Sequence, residues 1–252
     1  MADEPTSIPS TLAVLSFAKL ENNDESELSE KAAIGYNCSI MSPFFRALEA
    51  LLDAILPPRK SERVLRATSR DAFERLYRPL ARGEAEGLIP YGDPRAMALI
   101  WELKYFGSRE AAVLGGALVA LHIEGLLGEE LLERPLIIAV PLHPSRLKER
   151  GYNQAERLAS SAAKRLNGAA LYLPEGLVRS RATHRQTDLP RRKRLANVRG
   201  AFFAREPTAI TGRACILIDD VLTTGATLKA CAEALRSAGA SAVFPVALAY
   251  AE

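Results

Sequence analysis

Residues 215–227 read CILIDDVLTTGAT, and this stretch predicts a strand that runs into a ligand-binding turn. The first four residues form an apolar run rich in β-branched side chains, which is typical of a buried parallel strand. Two adjacent acids follow, Asp219 and Asp220, and then small residues that carry hydroxyl groups. Apolar residues at helical spacing come next and end at Gly239, so the pattern predicts a helix directly after the turn.

The turn has the chemistry of a phosphate site. Ligands of open parallel sheets bind beyond the carboxyl ends of the strands, and a helix N-terminus offers N–H donors and a positive dipole end. A glycine lets the backbone approach an anion closely, and threonine hydroxyls add further donors. The predicted phosphate loop consists of Thr223, Thr224, Gly225, Ala226 and Thr227. The two acids upstream are suited to sugar hydroxyls or to a divalent cation, so the stretch predicts a site for a ribose 5-phosphate derivative.

The order of elements along the chain predicts the fold class. Helix patterns at 94–106 and 109–125, strand patterns at 136–141 and 242–250, and the strand at 215–218 alternate. This alternation predicts an α/β protein with a Rossmann-like, mostly parallel sheet and flanking helices. We expect a loose extension at 1–42, a mainly helical N-terminal region at 43–92, in which 59–90 form exposed helix and loop, and the main domain at 93–252.

Composition narrows the class of protein further. The chain has 252 residues, of which 48% are apolar and 25% charged, as in an ordinary soluble globular protein. Its three cysteines are far apart, which argues against a disulfide framework or a zinc site and favours the cytoplasm. The most apolar stretch, 111–127, is short for a membrane span and predicts a buried helix with His122 in the core, so we expect no membrane insertion.

A second loop follows the strand at 136–141 and should reach the same sheet edge. It contains His143, Arg146, Lys148 and Arg150, and guanidinium groups bind phosphate oxygens in pairs. A pyrophosphate group is one interpretation of these residues, and a charged surface turn is the other. Asn153 and Glu156 then form a capping-box pattern at the start of a helix.

The segment 179–200 is strongly basic. It holds eight lysine and arginine residues against one acid, a net charge of +7, whereas the whole chain carries +3. One interpretation is a lid, headed by Thr183, Arg185 and Gln186, that closes over a leaving group and excludes water. A solvated linker and a nucleic-acid contact are the alternatives, although few aromatic residues flank the segment.

These motifs resemble known families at two levels. Residues 215–227 resemble the phosphoribosyl pyrophosphate (PRPP) motif of type I phosphoribosyltransferases. The order of further motifs resembles the ComF/GntX family: KYFG at 104–107, VPLHP at 140–144, RGYNQ at 150–154, RxTxxQT at 181–187 and RxxNV at 194–198. That family usually has a four-cysteine zinc module after a Leu-Pro-Pro-Arg-like stretch. Here LPPR stands at 56–59, but Lys60 and Arg63 replace the first cysteine pair, so we expect no zinc.

The resemblance implies a type I phosphoribosyltransferase fold, PRPP as ligand and Mg²⁺ as cofactor. It implies that Asp219 and Asp220 contact the ribose, that the phosphate loop binds the 5′-phosphate, and that the loop with His143, Arg146 and Arg150 binds pyrophosphate. An enzyme would transfer the 5-phosphoribosyl group to an acceptor that the resemblance does not identify. The alternatives are a non-enzymatic PRPP-binding competence protein, which contacts single-stranded DNA or a partner protein, and a structural domain with a vestigial site.

Overall fold

The structure is a computed structural model that describes residues 58–128, 132–180 and 200–251. The chain divides into two compact units, residues 1–60 and 61–252, and the first lies almost entirely outside the described residues. The predicted extension at 1–42 and residues 43–57 of the predicted N-terminal helical region therefore lie outside them as well. The predicted domain boundaries remain predictions.

The described elements alternate between helix and strand along most of the chain. The helices are α1 (Lys60–Ala67), α2 (Arg70–Glu74), α3 (Pro94–Tyr105), α4 (Arg109–Gly128), α5 (Pro144–Arg150), α6 (Gln154–Arg165), α7 (Pro207–Ile210) and α8 (Ala226–Ser237). The strands are β1 (Leu80–Arg82), β2 (Ala85–Pro90), β3 (Leu136–Ala139), β4 (Leu171–Tyr172), β5 (Leu177–Arg179), β6 (Phe202–Ala204), β7 (Ala214–Leu222) and β8 (Ala242–Tyr250).

Six strands form one sheet in the order β1-β2-β8-β7-β3-β4, and all its pairs except β1–β2 are parallel. Alternate residues of β7 point to opposite faces of the sheet. Ile216 and Ile218 join the core that contains α3, α4 and α6, whereas Cys215 and Leu217 join the core that contains α8. Helices cover both faces of a mostly parallel sheet, so the predicted fold class is confirmed.

The prediction of exposed helix and loop across 59–90 is wrong for residues 80–90. These residues form β1 and β2. Strand β2 lies between β1 and β8 in the main sheet and pairs in parallel with β8. Leu88 and Ile89 are fully buried. A side chain at Gly87 would place its Cβ 2.5 Å from the Cβ of Tyr250, so the glycine allows β8 to approach. Strand β2 is buried because it pairs with β8, which is distant in the sequence. The alternating charges of the local sequence do not indicate this pairing.

Helix α4 packs tightly because two glycines face its neighbours. A Cβ on Gly115 would lie 2.7 Å from side-chain atoms of Leu158 and Leu248, and one on Gly116 would lie 2.5 Å from Ser161. Within the described ranges α4 alone is long and apolar enough to cross a membrane by length and composition, with a mean hydropathy of 1.7. Half of that stretch is buried inside the protein, which agrees with the predicted core helix.

Candidate functional site

The site lies where the chain leaves β3 beside the last residues of β7. Ala139 pairs with Ile218, and the N–H of Val140 donates to the carbonyl of Ile218 over 2.8 Å. The two strands run in parallel, so the chain leaves both at the same edge of the sheet. The loop after β3 and the phosphate loop after β7 therefore meet at one carboxyl edge.

The two acids lie inside β7 rather than in the turn after it. The strand continues through them to Leu222, and Asp219 pairs with Ala247 of β8. Because neighbouring strand residues point to opposite faces, the two carboxyl groups face different sides of the sheet. Asp219 Oδ1 turns back and accepts a hydrogen bond from the N–H of Asp220 over 2.8 Å.

Asp220 faces α3, where Lys104 lies close to it. The carboxyl group is almost fully buried, and its Oδ2 lies 3.2 Å from the Nζ atom of Lys104. The two groups form an ion pair, although their orientation is not that of a directed hydrogen bond. The charge of Asp220 raises the pKa of Lys104, against the opposing effect of burial.

Asp219 faces the other side of the sheet, toward Cys231 and Arg179. Burial, and then the neighbouring Asp220 charge, raise the pKa of Asp219 above its usual range. Burial also raises the pKa of the Cys231 thiol, and the Asp219 charge adds to that shift. Burial lowers the pKa of Arg179, and Asp219 is among the groups that oppose this change. The two acids therefore have different neighbours on the two faces of the sheet, but they are not electrostatically independent, because the charges of Asp220 and Lys104 both act on Asp219.

The phosphate loop connects β7 to the N-terminus of α8. Gly225 caps the helix in the left-handed region, with φ of 72°, and the N–H of Ala226 lies 3.4 Å from Thr224 Oγ1. From β1, Arg82 Nη1 donates to the carbonyl of Thr223 over 3.3 Å. Thr223 is exposed, Thr224 and Thr227 are half-buried and Ala226 is buried. The predicted loop thus opens a helix of 12 residues, as an anion site requires.

The predicted loop at 140–150 contains a short helix, α5, which the sequence reading missed. His143 Nδ1 accepts from the N–H of Ser145 over 3.2 Å and so caps α5. Arg146 is half-buried, and Arg150 Nη1 donates to Gln154 Oε1 over 2.6 Å. The predicted cap on α6 is present, because Asn153 Oδ1 accepts from the N–H of Ala155 over 3.0 Å. The predicted phosphate and pyrophosphate roles of these residues remain predictions.

The predicted lid residues Thr183, Arg185 and Gln186 lie outside the described residues. The strands before and after that segment pair with each other as an antiparallel ribbon, with Arg179 opposite Phe202. The guanidinium carbon of Arg179 lies 5.4 Å from the centre of the Phe202 ring. Arg179, the first residue of the basic segment, is therefore held in β5, and the charge of Asp219 acts on it.

The sequence predicted no individual role for Lys104, Arg82 or Arg179. Only the structure brings them to the acids and the phosphate loop. KYFG at 104–107 and RGYNQ at 150–154 contact each other through Arg157. This arginine donates to the carbonyl of Gly107, and its guanidinium carbon lies 4.1 Å from the centre of the Tyr152 ring. The resemblance to a family identified these motifs, but no local pattern indicated their contact.

The described part of the chain contains no group of three or more His, Cys, Asp or Glu residues that could hold a metal ion. Asp219 Oδ1 is engaged with a backbone N–H, and Asp220 Oδ2 with Lys104. Such an arrangement does not fit Mg²⁺ held by the two acids alone. It fits an ion whose ligands come mainly from a bound diphosphate and water, which is common for Mg²⁺.

A cleft of about 450 Å³ opens at the opposite, amino edge of the sheet. Its lining includes Arg134, Leu171, Arg213 and Ser241. The Nη2 atom of Arg213 donates to the carbonyl of Arg134 over 2.7 Å. None of the predicted site residues that the structure describes lines this cleft.

Comparison with known proteins agrees with this geometry. Residues 153–251 match the family described as phosphoribosyl transferase domain. DNA utilization protein YhgH of Escherichia coli (strain K12) is 35% identical over 153 residues, which are 60% of this chain and 65% of that protein. Competence protein F of Haemophilus influenzae is 36% identical over 104 residues, or 41% of this chain and 44% of that protein.

Among solved structures, a glutamine PRPP amidotransferase from B. subtilis, complexed with ADP and GMP, is similar to 57% of this chain and 29% of its own. Its sequence identity is 21% and the TM-score is 0.36.

The region that matches the phosphoribosyl transferase domain family holds the phosphate loop and both acids. The similarity to DNA utilization protein YhgH covers 60% of this chain and that to Competence protein F covers 41%, and the predicted resemblance to the ComF family is confirmed. The chain spans somewhat less than two thirds of the length of the first of these relatives.

Proposed function

We propose that this protein binds PRPP with Mg²⁺ and transfers the 5-phosphoribosyl group to an acceptor, with release of pyrophosphate. The observation that carries the proposal is the meeting of three groups at one edge of the sheet. The parallel pairing of β3 with β7 brings three groups to this edge: the acids of β7, the phosphate loop that opens α8, and the basic helix α5. The match to a phosphoribosyl transferase domain supports the same assignment.

Each group has one part of the ligand in this proposal. The phosphate loop, Thr223 to Thr227, binds the 5′-phosphate with backbone N–H groups and threonine hydroxyls. Asp219 and Asp220 accept hydrogen bonds from the ribose hydroxyls and stabilise positive charge that develops on the sugar. His143, Arg146 and Arg150 contact the diphosphate, and the lid residues Thr183, Arg185 and Gln186 cover it.

The reaction then needs no nucleophilic side chain. A lone pair of the acceptor forms a bond to the anomeric carbon while the bond from that carbon to the diphosphate oxygen breaks, and pyrophosphate leaves with the electron pair. Mg²⁺, bound with the diphosphate, would neutralise part of the leaving group's charge. The protein's contribution is to position the two reactants and to stabilise charge.

Calorimetry with PRPP and Mg²⁺ tests ligand binding. We expect heat of binding with the wild-type protein and with Asp71→Asn, which changes an exposed acid on α2, but a much weaker signal with Asp219→Asn. Equal binding by the wild type and Asp219→Asn would remove the assigned role of the acid. No binding by the wild type would remove the proposal itself.

Pyrophosphate release tests catalysis separately from binding. The protein would be incubated with PRPP, Mg²⁺ and one acceptor at a time from a panel of purines, pyrimidines and orotate. Acceptor-dependent pyrophosphate release that is lost in Asp219→Asn supports the transferase. Tight PRPP binding with no release for any member of the panel would favour a non-enzymatic role.

That second candidate is a PRPP-binding protein of DNA uptake that contacts single-stranded DNA or a competence partner. Two observations favour it: the +7 charge of residues 179–200, and the names of the relatives, DNA utilization protein and Competence protein. Binding of a labelled single-stranded oligonucleotide, measured across a range of salt concentrations, tests it. An affinity that falls steeply with salt supports the candidate, and the absence of binding at low salt removes the contact with DNA.

A further inference from the structure

Lys104 and Asp220 form a contact that the proposed function does not use. Asp220 is 5% exposed, and the ammonium group of Lys104 lies 3.2 Å from its Oδ2 atom. A buried carboxylate requires an opposite charge or hydrogen-bond donors, because the low-dielectric interior makes an isolated charge costly. In the described structure, the ammonium group of Lys104 is the charge that meets this need.

The lysine is held in place by the turn that follows it. α3 ends at Tyr105, and the left-handed Gly107, with φ of 58°, directs the chain toward α4. Arg157 of α6 donates to the carbonyl of Gly107 and packs on the ring of Tyr152. A Cβ at Gly107 would lie 2.8 Å from Nη1 of Arg157 and 2.9 Å from the ring of Tyr152, so a side chain there would displace both. The end of α3, and Lys104 with it, is therefore tied to α6.

The two acids differ in what holds them. Asp219 is restrained by the backbone N–H of its neighbour, while Asp220 on the other face of the sheet is restrained by Lys104. One carboxylate oxygen of Asp220 is occupied by the ammonium group. The direction of the other oxygen is then fixed, which is what a hydrogen bond to a sugar hydroxyl needs.

We propose that Lys104 is a positioning residue that orients Asp220 toward the ribose of the bound ligand. The inference rests on the proposed function, since it concerns the ribose end of the same site. Lys104 acts through Asp220 and not through the diphosphate. Loss of the lysine would therefore lower the affinity for every ligand that contains ribose 5-phosphate, whether or not the ligand carries the diphosphate.

Two ligands separate this role from direct contact with the diphosphate. Ribose 5-phosphate alone, and PRPP with Mg²⁺, would be titrated by calorimetry into the wild type, Lys104→Gln, Lys104→Arg and the control Lys164→Gln, an exposed lysine on α6. We expect Lys104→Gln to lower the affinity for both ligands by a similar factor of about ten, because Asp220 loses the charge that orients it. Lys104→Arg should recover most of the affinity, and Lys164→Gln should change nothing.

A loss confined to PRPP would overturn the proposal, because it would place Lys104 at the diphosphate. Unchanged affinity for both ligands would overturn it as well. A double-mutant cycle tests whether Lys104 acts through Asp220. In the Asp220→Asn background, Lys104→Gln should lower the affinity for ribose 5-phosphate by less than about threefold, because the partner of the lysine is already altered. Equal losses in both backgrounds would show that Lys104 does not act through Asp220.

Failure of the proposed function has a different signature. If the wild-type protein binds neither ligand, the PRPP assignment is wrong. The same cycle measured by urea unfolding then decides the pairing by itself: Lys104→Gln should lower the denaturation midpoint when Asp220 is present and lower it less in the Asp220→Asn background. Equal shifts in the two backgrounds would remove the positioning role whatever the ligand is.

Discussion

Asn153 Nδ2 donates a hydrogen bond to the backbone carbonyl of Val140 over 3.0 Å and so joins the start of α6 to the end of β3. The same side chain caps α6 through Oδ1 and lies 3.2 Å from Glu156 Oε1. The buried side-chain amide of Asn153 thus connects the two ends of the segment 140–153. This segment carries the three predicted pyrophosphate residues, so its closure connects folding to the candidate site.

Asn153→Ala should lower the free energy of unfolding by about 2–3 kcal/mol, because it removes a helix cap and leaves a buried carbonyl without its donor. Asn153→Asp is the matched variant. It keeps the acceptor for the helix cap but cannot donate to Val140, and it adds a charge near Glu156. We expect it to be nearly as unstable in urea titration. Wild-type stability in Asn153→Asp would show that the bond to Val140 contributes nothing.

Gly225→Ala should cost about 1–2 kcal/mol of stability, because its φ of 72° is the left-handed conformation that side chains disfavour. Space is not the obstacle: the added Cβ would lie 3.5 Å from Leu222, an ordinary contact. Any relief of this strain would move the phosphate loop, so affinity for ribose 5-phosphate should fall too. Gly92→Ala, where a Cβ meets nothing within 4 Å, is the control and should leave both stability and affinity unchanged.

Two glycines of α4 should respond in opposite directions to the same change. Gly116→Ala places a methyl group 2.5 Å from Ser161 and 3.1 Å from the backbone of Ala162, so overpacking should cost about 1–3 kcal/mol. Gly125→Ala meets open space and should stabilise the helix by about 0.5–1 kcal/mol. Thermal unfolding of the two variants measures both shifts. A stabilised Gly116→Ala would show that α4 and α6 are farther apart than in the structure.

Stability should fall in mild acid because of His122. This buried side chain lies with Nδ1 2.9 Å from Tyr77 Oη and Nε2 3.6 Å from Glu86 Oε2, and burial lowers its pKa from 6.5 to about 4. The folded protein thus favours the neutral ring, and the stabilisation is complete above the unfolded pKa of 6.5. It is lost as the pH falls from 6.5 toward 4, by about 2 kcal/mol between pH 7 and pH 5.

His122→Gln removes that titration. Urea unfolding at pH 7 and pH 5 should show a pH-dependent loss that is about 2 kcal/mol smaller in the variant than in the wild type. The difference between the two pH values is the quantity to compare, because the substitution also changes stability at pH 7. The same pH-dependent loss in both proteins would exclude His122 as its source.

The sequence predicted the β7–α8 unit well because both elements show their burial locally. An apolar run, a glycine-containing turn and apolar residues at helical spacing are enough to recognise it. Strand β2 was missed because its burial depends on β8, a strand far away in the sequence that packs against Gly87. The wrong loop assignment at 144–150 has a local cause, since α5 is short and has no buried residue.

In the candidate site, too, the sequence predicts the local features but not the contacts between distant residues. The phosphate loop and acids are contiguous, so their order alone indicates a ribose phosphate site. The contacts from outside that stretch, Lys104 to Asp220 and Arg82 to Thr223, join residues distant along the chain. No spacing rule predicts such contacts, since they arise only when the sheet brings α3 and β1 to the edge where β7 ends.

The position of β7 between β8 and β3 has a consequence for measurements in solution. Its amides bond on both sides, so those around Ile216–Ile218 should exchange with deuterated solvent only when the whole domain unfolds. Because Asp219 and Asp220 continue that strand, a ligand that binds them should slow exchange throughout the sheet. Deuterium uptake by peptides from β3 and β8 would then report ligand binding without any label on the site.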